Sequence, residues 1–333
     1  MSQKPFVAIV GGMNIDIQAK CFLPYKPGDS NPGSLKHLPG GVGRNIAENL
    51  VRLGARVELV SVLGDDEPSF RLSESCASLG IGLDGTLRLR DSPAPQYVCL
   101  LDSDGSLAGA IAAMDSMDRL SPDCLAQRAP LLDSADLIVV DANIPESSID
   151  WLAERYPKGA GRPLLGFDPV SGKKAARGRR SLGAFAFAKP NRTEAALLAG
   201  LEDSPPSILA AALRARGLDE AFISLGAEGM WAEGPGRVDV SVKGAADAPE
   251  SWIARLPSRP PLGLETVNAS GAGDAACAAI AWGLLGGFSL GERCSLAVAA
   301  ALLAAASDSP VNPDMDAALL LETAKGIECE RVS

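Results

Sequence analysis

The sequence has a single histidine, His37, and its seven cysteines form no Cys-x-x-Cys pair. Zinc sites draw on clusters of histidine and cysteine, and a Ser-His-Asp hydrolase needs a histidine beside its nucleophile, so both classes are nearly excluded. The cysteine count is odd, and a strand-like segment stands where a secretory leader would be. Together these features predict reduced thiols in a cytoplasmic protein.

Positive charge is also scarce, with 31 Lys and Arg against 41 Asp and Glu and a net charge of −10. An acidic chain lacks the electrostatic footprint of a protein that binds nucleic acid or an anionic membrane. The most apolar stretch, residues 296–306, is too short and too rich in alanine to cross a bilayer, and it predicts a buried helix. We therefore expect small-molecule partners.

Strand-like and helix-like segments alternate along the 333 residues. A continuous apolar run at 6–10 ends in Gly-Gly, and helical spacing at 42–53 ends at Gly54. Further strands are predicted at 57–63, 137–140, 164–167, 184–188 and 221–225. Strands separated by helices predict right-handed crossovers and a mainly parallel sheet covered on both faces. We predict a single α/β domain over residues 1–333.

Two segments break this alternation. Residues 15–38 contain three prolines and no helical period, and the predicted strands 97–101 and 107–111 flank a hairpin signal, Asp102-Ser-Asp-Gly105. We expect about 15–39 and 95–112 to form a small second β-sheet. Residues 243–262, rich in Pro, Ala and Ser, are predicted to be a long surface loop.

Three polar, glycine-containing segments are candidates for chemistry. Asn268-Ala-Ser-Gly-Ala-Gly-Asp274 precedes an apolar helical segment. The amides and partial positive charge of a helix start bind anions, and glycine lets a phosphate approach the backbone. Pro39-Gly-Gly-Val-Gly-Arg-Asn45 opens another helix, and Gly12-Met-Asn-Ile-Asp16 follows the first strand, where ligands bind in open α/β sheets. Ordinary helix starts and turns are the alternative interpretation.

Two more segments, Lys189-Pro-Asn-Arg-Thr-Glu194 and Ser224-Leu-Gly-Ala-Glu-Gly229, complete a series in a definite order. In that order the sequence resembles the ribokinase (PfkB) family of carbohydrate kinases over essentially its whole length. The resemblance implies a ribokinase-like α/β fold in which the small β-sheet is a lid. It also implies that ATP, with Mg²⁺, phosphorylates an alcohol group.

Finer features resemble the pseudouridine kinases within that family: Gly28-Asp-Ser-Asn-Pro-Gly33, Asp168-Pro-Val-Ser171 and Val311-Asn-Pro-Asp314. They imply the ribose 5′-hydroxyl of pseudouridine as acceptor, and ribose, fructose, adenosine or another nucleoside remains the alternative. The commoner family pattern has Asp-Thr-Thr where this chain has Asn268-Ala-Ser270, which leaves open a K⁺ site. A lid sheet with an exposed apolar face predicts a homodimer through the lid.

The resemblance also implies residue roles. Asp274 would be the general base, and the backbone of Gly271, Ala272 and Gly273 would stabilise the transferring phosphoryl group. Ribose binding is implied for Asn14, Asp16, Gly40, Gly41 and Asn45, with Glu146 as a further candidate. For the base, Ser30, Asn31, Gln96 and Lys174 lie in segments of plausible reach, and a solvated face is the alternative interpretation of Lys174. ATP binding is implied for Asn191, Ser224, Gly226, Gly229, Asn268 and Gly273, and Mg²⁺ orientation for Asn191 and Glu194. A capping box at 191–194 and a helix-start acid at Glu146 remain alternative interpretations.

Overall fold

The computed structural model describes residues 4–159, 161, 163–235, 249–257 and 260–332. Its strands are β1 (Phe6–Val10), β2 (Asn14–Cys21), β3 (Gly33–Gly40), β4 (Arg56–Val60), β5 (Val62–Leu63), β6 (Ile81–Gly82), β7 (Leu87–Arg88), β8 (Gln96–Leu101), β9 (Leu107–Ala113), β10 (Leu137–Asp141), β11 (Leu164–Asp168), β12 (Phe187–Ala188), β13 (Glu220–Ser224), β14 (Met230–Pro235), β15 (Pro249–Arg255) and β16 (Glu328–Arg331). Its α-helices are α1 (Val42–Arg52), α2 (Glu67–Leu79), α3 (Pro122–Ala126), α4 (Ala129–Asp133), α5 (Glu146–Arg155), α6 (Gly172–Ala175), α7 (Arg192–Ala199), α8 (Pro206–Ala215), α9 (Ala272–Leu285), α10 (Leu290–Ala305) and α11 (Ala317–Lys325).

The main sheet has the strand order β16-β15-β14-β13-β12-β11-β10-β1-β4-β6. Within this sheet, neighbouring strands are parallel along the series β13, β12, β11, β10, β1, β4 and β6. Strands β14, β15 and β16 are each antiparallel to their neighbours. Every residue of β1 is buried, as expected for a parallel strand covered on both faces. This architecture confirms the predicted α/β class with a mainly parallel central sheet.

Helices cover both faces of this sheet. On one side Val7 and Ile9 of β1 belong to a core formed with α1, α9 and α10, and on the other Ala8 and Val10 belong to a core formed with α5, α7 and α8. The buried helix predicted at 296–306 is confirmed as the second half of α10. Its alanines pack against those of α9, whose N-terminus lies at the carboxyl edge of the sheet.

A separate four-stranded sheet has the order β3-β2-β8-β9, which confirms the small sheet predicted from 15–39 and 95–112. Asp16 pairs with Leu38 on β3 and with Tyr97 on β8. Because side chains alternate between the faces of a strand, Asp16, Gln18 and Lys20 share one face and Ile17 and Ala19 share the other. We call these the inner and outer faces of the small sheet.

The prediction of a surface loop at 243–262 is wrong for its central part. Residues 249–255 form β15, which is paired between β14 and β16, whereas 243–248 and 258–259 lie outside the described residues. The strand begins at Pro249, a position where a missing amide is tolerated, and tertiary pairing outweighs its weak hydrophobic pattern. In the part of the chain that is described, no helix has the length and apolarity to span a membrane.

Candidate active site

The start of α9 is a tight turn that requires glycine. Gly271 caps the helix with φ 78°, and a Cβ atom there would overlap the carbonyl oxygen of Pro310. The first amides of a helix have no carbonyl partner within the helix, and they carry its partial positive charge. The backbone at Gly271, Ala272 and Gly273 thus forms the start of a long helix, a feature that can bind anions, and its role toward a phosphate stays a prediction.

Asp274 follows that turn and is joined to α1 by a hydrogen bond, in which Nδ2 of Asn45 donates to Oδ2 of Asp274 at 2.9 Å. Burial and the neighbouring carboxylates of Asp168 and Asp141 raise the pKa of Asp274 to about 7, against the opposing effects of Asn45 and Lys189. A carboxyl group with this pKa exchanges protons readily at neutral pH. This property suits a general base.

Arg44 fixes the orientation of the Asn45 amide, although sequence reasoning gave it no role. Its Nη1 donates to Oδ1 of Asn45 at 3.1 Å, and its Nη2 pairs with Glu48 at 2.5 Å. Because Arg44 occupies the amide oxygen, the amide nitrogen of Asn45 faces Asp274. The available signal was an arginine at the start of a helix, four residues before the acidic Glu48.

The predicted sugar-binding residues lie together where β2, β3 and α1 meet. Nδ2 of Asn14 donates to Oδ1 of Asp16 at 2.7 Å, and burial raises the pKa of Asp16, with Asn14 and Arg44 opposing. Gly40 pairs with Asn14 across the two strands, and a Cβ there would overlap the Asp16 carboxylate. Gly41 has φ 100° and lies against the carbonyl of Gly12.

A cavity of about 500 Å³ connects the inner face of the small sheet with the approach to α9, and we call it the cleft. It is lined by Asp16, Gln18, Lys20, Ser34, Lys36, Tyr97, Cys99, Leu101, Gly105, Leu107, Asn268, Ser270 and Pro310. Its volume falls within the range of small-molecule sites. Asp16 at one end and the segment preceding Gly271 at the other thus share one opening.

Asp141 organises the backbone behind Asn14 and was not predicted. It ends β10, and its carboxylate accepts hydrogen bonds from the amides of Gly12 at 2.7 Å and Asn143 at 2.8 Å. Burial raises its pKa to about 6 despite those two bonds. Lys174, a predicted base-binding residue, donates to Oδ1 of Asn143 at 2.6 Å, so it lies beside the backbone that Asp141 holds. Burial lowers the pKa of Lys174.

Asn191 and Glu194 form a complete capping box at the start of α7. The side chain of each accepts a hydrogen bond at 2.9 Å from the backbone amide of the other. Burial raises the pKa of Glu194, opposed by the Asn191 amide and by Lys189. The alternative interpretation of this motif is therefore present in the structure. No cluster of three or more His, Cys, Asp or Glu side chains suited to a metal occurs in the described ranges.

The predicted nucleotide loop follows β13, beside α7. Ser224 bridges to Asn191, and a 3₁₀ turn over Gly226–Glu228 leaves Gly226 exposed with φ 62°. A Cβ at Gly229 would overlap the carbonyl of Ala254, so this glycine is required by the fold itself. In the segment before α9, Oδ1 of Asn268 accepts a hydrogen bond from the backbone amide of Ser270 at 2.9 Å.

Among the predicted substrate residues, Asp16 lines the cleft, whereas four lie away from both the cleft and the cluster around Asn14. Gln96 pairs with Ile15, so it lies on the outer face of the small sheet and lines a different groove. Ser30 and Asn31 lie in a turn beyond the end of β2, where Asn31 bonds Lys26 at 2.9 Å. Glu146 is exposed in the first turn of α5, the helix-start position of its alternative interpretation.

Comparisons with known proteins show which family the chain resembles. The pfkB family of carbohydrate kinases matches residues 4–317. Pseudouridine kinase of Escherichia coli (strain K12) is 31% identical over 332 residues, which are 99% of either chain. A carbohydrate kinase structure from Agrobacterium tumefaciens has a TM-score of 0.80 at 26% identity and covers 98% of this chain and 100% of its own.

The structure of Arabidopsis thaliana ribokinase complexed with ribose and ATP covers 97% of this chain and 99% of its own, with a TM-score of 0.73 at 21% identity. That likeness shows the fold. The family match over nearly the whole chain, together with the pseudouridine kinase relative, carries the assignment further. The chain belongs to the pfkB family of carbohydrate kinases, phosphotransferases that act on a hydroxyl group.

Proposed function

We propose that this protein is an ATP-dependent pseudouridine kinase, which phosphorylates the ribose 5′-hydroxyl to give pseudouridine 5′-phosphate and ADP. One observation carries the chemistry: the Asp274 carboxylate, oriented by Asn45, stands at the start of α9, and the segment that precedes this helix shares the cleft with Asp16. The 31% identity to a pseudouridine kinase supports the choice of substrate.

The side chains of Asn14, Asp16 and Asn45, with the backbone of Gly40 and Gly41, would hold the ribose. Asp16 suits two adjacent hydroxyls, because a carboxylate accepts strong hydrogen bonds from both. Asp274 would accept the proton of the 5′-hydroxyl as its oxygen attacks the γ-phosphorus and the bond to ADP breaks. The backbone amides of α9 would stabilise the negative charge on the transferring group.

Ser224, Gly226, Gly229 and Asn268 would line the nucleotide, with Gly273 at its phosphates. The donor set at α7 fits Mg²⁺ held through water, because the capping box uses one carboxylate oxygen of Glu194 and leaves the other free for a water ligand. Bound Mg²⁺ supplies neutralisation of the phosphate charge. Asn268 offers an amide oxygen in place of a carboxylate, so we assign no K⁺ site to it.

We propose two further base-reading residues that were not predicted. Gln18 and Lys36 are paired across β2 and β3 on the inner face of the small sheet, and both line the cleft with Tyr97. Pseudouridine has a carbon–carbon glycosidic bond that leaves an extra ring N–H free to donate. The side-chain oxygen of Gln18 can accept a hydrogen bond from that N–H, and Lys36 can donate one to a ring carbonyl. Lys174 remains a proposed contributor through Asn143.

We further propose that the small sheet is a lid over a single domain and that two chains pair through its outer face. Apolar side chains at this sheet are exposed, among them Leu35 at 66% and Ile111 at 68%. A contiguous exposed apolar surface favours association. Lid closure over the cleft would exclude water and protect ATP from hydrolysis.

The test is a substrate panel with ATP and Mg²⁺, run with and without K⁺, over pseudouridine, uridine, adenosine, ribose and fructose. Product phosphorylation is read directly by mass, with Asp274→Asn as the inactive control. We expect pseudouridine to have the highest kcat/KM. Preferential phosphorylation of another member would replace pseudouridine as the substrate, and no phosphorylation of any member would reject the kinase proposal.

A further inference from the structure

Lys189 is a buried cation to which the mechanism above gives no role. It directly follows β12, and its Nζ lies 3.3 Å from Oδ2 of Asp168, the last residue of the neighbouring strand β11. The two side chains are only 7% and 4% exposed. Because β11 and β12 are parallel, both charges reach the carboxyl edge of the sheet, where α9 begins.

The ammonium group stays charged in this setting. Burial acts to lower the pKa of Lys189, but the negative charges of Asp168, Glu194 and Asp274 outweigh it and raise the pKa above its ordinary value. The carboxylate is held from two sides. Oδ1 of Asp168 accepts the amide of Val170 at 2.9 Å, whereas Oδ2 faces the Lys189 ammonium at 3.3 Å and makes no well-aligned hydrogen bond in the described residues.

Lys189 lies against the anion-binding turn. A Cβ atom built on Gly273 would be 3.0 Å from Nζ of Lys189, so the ammonium contacts the backbone one residue before Asp274. A helix N-terminus carries a charge of about +0.5. A full positive charge beside the turn increases the attraction of this helix start for a phosphate.

We propose, on the basis of the kinase function proposed above, that Lys189 is a positioning residue for phosphoryl transfer: Asp168 holds its ammonium against Gly273, where it stabilises negative charge on the transferring phosphoryl group and on Asp274. Four groups from four elements surround Asp274: Asn45 of α1, Asp141 of β10, Asp168 of β11, and Lys189 after β12. Lys189 supplies the positive charge of this set. Without it, two carboxylates oppose the ionisation of Asp274.

Three variants test the inference by steady-state kinetics across neutral and alkaline pH: Lys189→Met, Lys189→Arg, and Lys325→Met, which removes an exposed cation on α11. We expect Lys189→Met to lower kcat by about 10²-fold, comparable to the loss of one transition-state donor. The acidic limb of kcat/KM should move to higher pH. Lys189→Arg keeps the charge and should recover most of kcat, while Lys325→Met should match the wild type.

A double variant covers the case in which Lys189→Met does not fold because it leaves the buried Asp168 carboxylate unpaired. Asp168→Asn combined with Lys189→Met removes both charges, and circular dichroism and thermal melting establish that it folds. Its acidic limb should lie at lower pH than that of Lys189→Met, because a carboxylate that repels ionised Asp274 is lost, while kcat stays low at every pH. A purely structural role for the pair would instead return kcat to the wild-type value.

The outcomes separate this inference from the proposal on which it rests. If the wild type phosphorylates no acceptor, both are overturned. If the wild type is active, and a folded Lys189→Met or double variant retains kcat within about twofold with an unmoved acidic limb, then this inference alone is overturned, because a loss of transition-state stabilisation must appear in kcat.

Discussion

The hydrogen bond from Asn45 to Asp274 should set the pH dependence of the enzyme. Asn45→Leu keeps a branched side chain of similar size and removes the amide that donates to the carboxylate at 2.9 Å. A hydrogen bond to a charged group contributes about 1.5–3 kcal/mol. At about 1.4 kcal/mol for each pKa unit, its loss raises the pKa of Asp274 by about one to two units.

The pKa of Asp274 is about 7 in the intact protein, so about half of the carboxylates are ionised at pH 7. After a shift of one to two units the ionised fraction at pH 7 is about 10% to 1%. The value of kcat/KM at pH 7 should therefore fall about 5- to 50-fold beyond any constant loss in sugar binding. It should recover as the pH rises through the new pKa.

The assay is kcat/KM against pH for the wild type and the variant with the same acceptor and saturating MgATP. The wild type is measured alongside because ATP itself titrates in this range. Asn49→Leu is the matched control, since Asn49 lies one turn later on α1 and donates to the Asn45 carbonyl rather than to Asp274. An acidic limb of Asn45→Leu that coincides with the wild type would show that Asp274 is not the titrating base.

Three further predictions follow from the same geometry. Asp274→Asn should lose most of kcat yet bind ATP, and above neutral pH it should unfold at a higher urea concentration than the wild type. The pKa of Asp274 is about 7 in the folded protein against an ordinary 3.8, so ionisation lowers the stability of the wild type as the pH rises from about 4 to 7, by at most about 4 kcal/mol. Gly271→Ala should lower the free energy of unfolding by about 2–5 kcal/mol, because alanine is strained in the left-handed backbone conformation and its Cβ overlaps a carbonyl. Gly226→Ala, where a Cβ meets nothing within 4 Å, should lower it by only about 1–2 kcal/mol. Equal losses in urea titrations would contradict the overlap argument. Light scattering should give a mass of about twice the 34.3 kDa of one chain. Leu35→Lys should reduce the measured mass to that of one chain, while Ile208→Lys, an exposed position on α8, should leave it unchanged. A monomeric wild type would reject the dimer.

Local pattern was sufficient where the physical cause was local. The buried run at Phe6–Val10 and the glycine turn at Gly271 depend on apolar content and on backbone freedom, which single segments display. The motif order added the family and hence the fold. The capping box at Asn191 and Glu194 was also visible from spacing, because its two hydrogen bonds span only three residues.

Residues brought together from distant parts of the chain were decided by the tertiary structure alone. Gln96 was predicted for the base, yet its register opposite Ile15 turns it to the outer face, and a shift of one residue would have reversed that. Asp141, Asp168 and Lys189 meet Asp274 only because three parallel strands end at one edge of the sheet. The pKa values there depend on burial and on charges separated by tens to more than a hundred residues, quantities that exist only once the chain has folded.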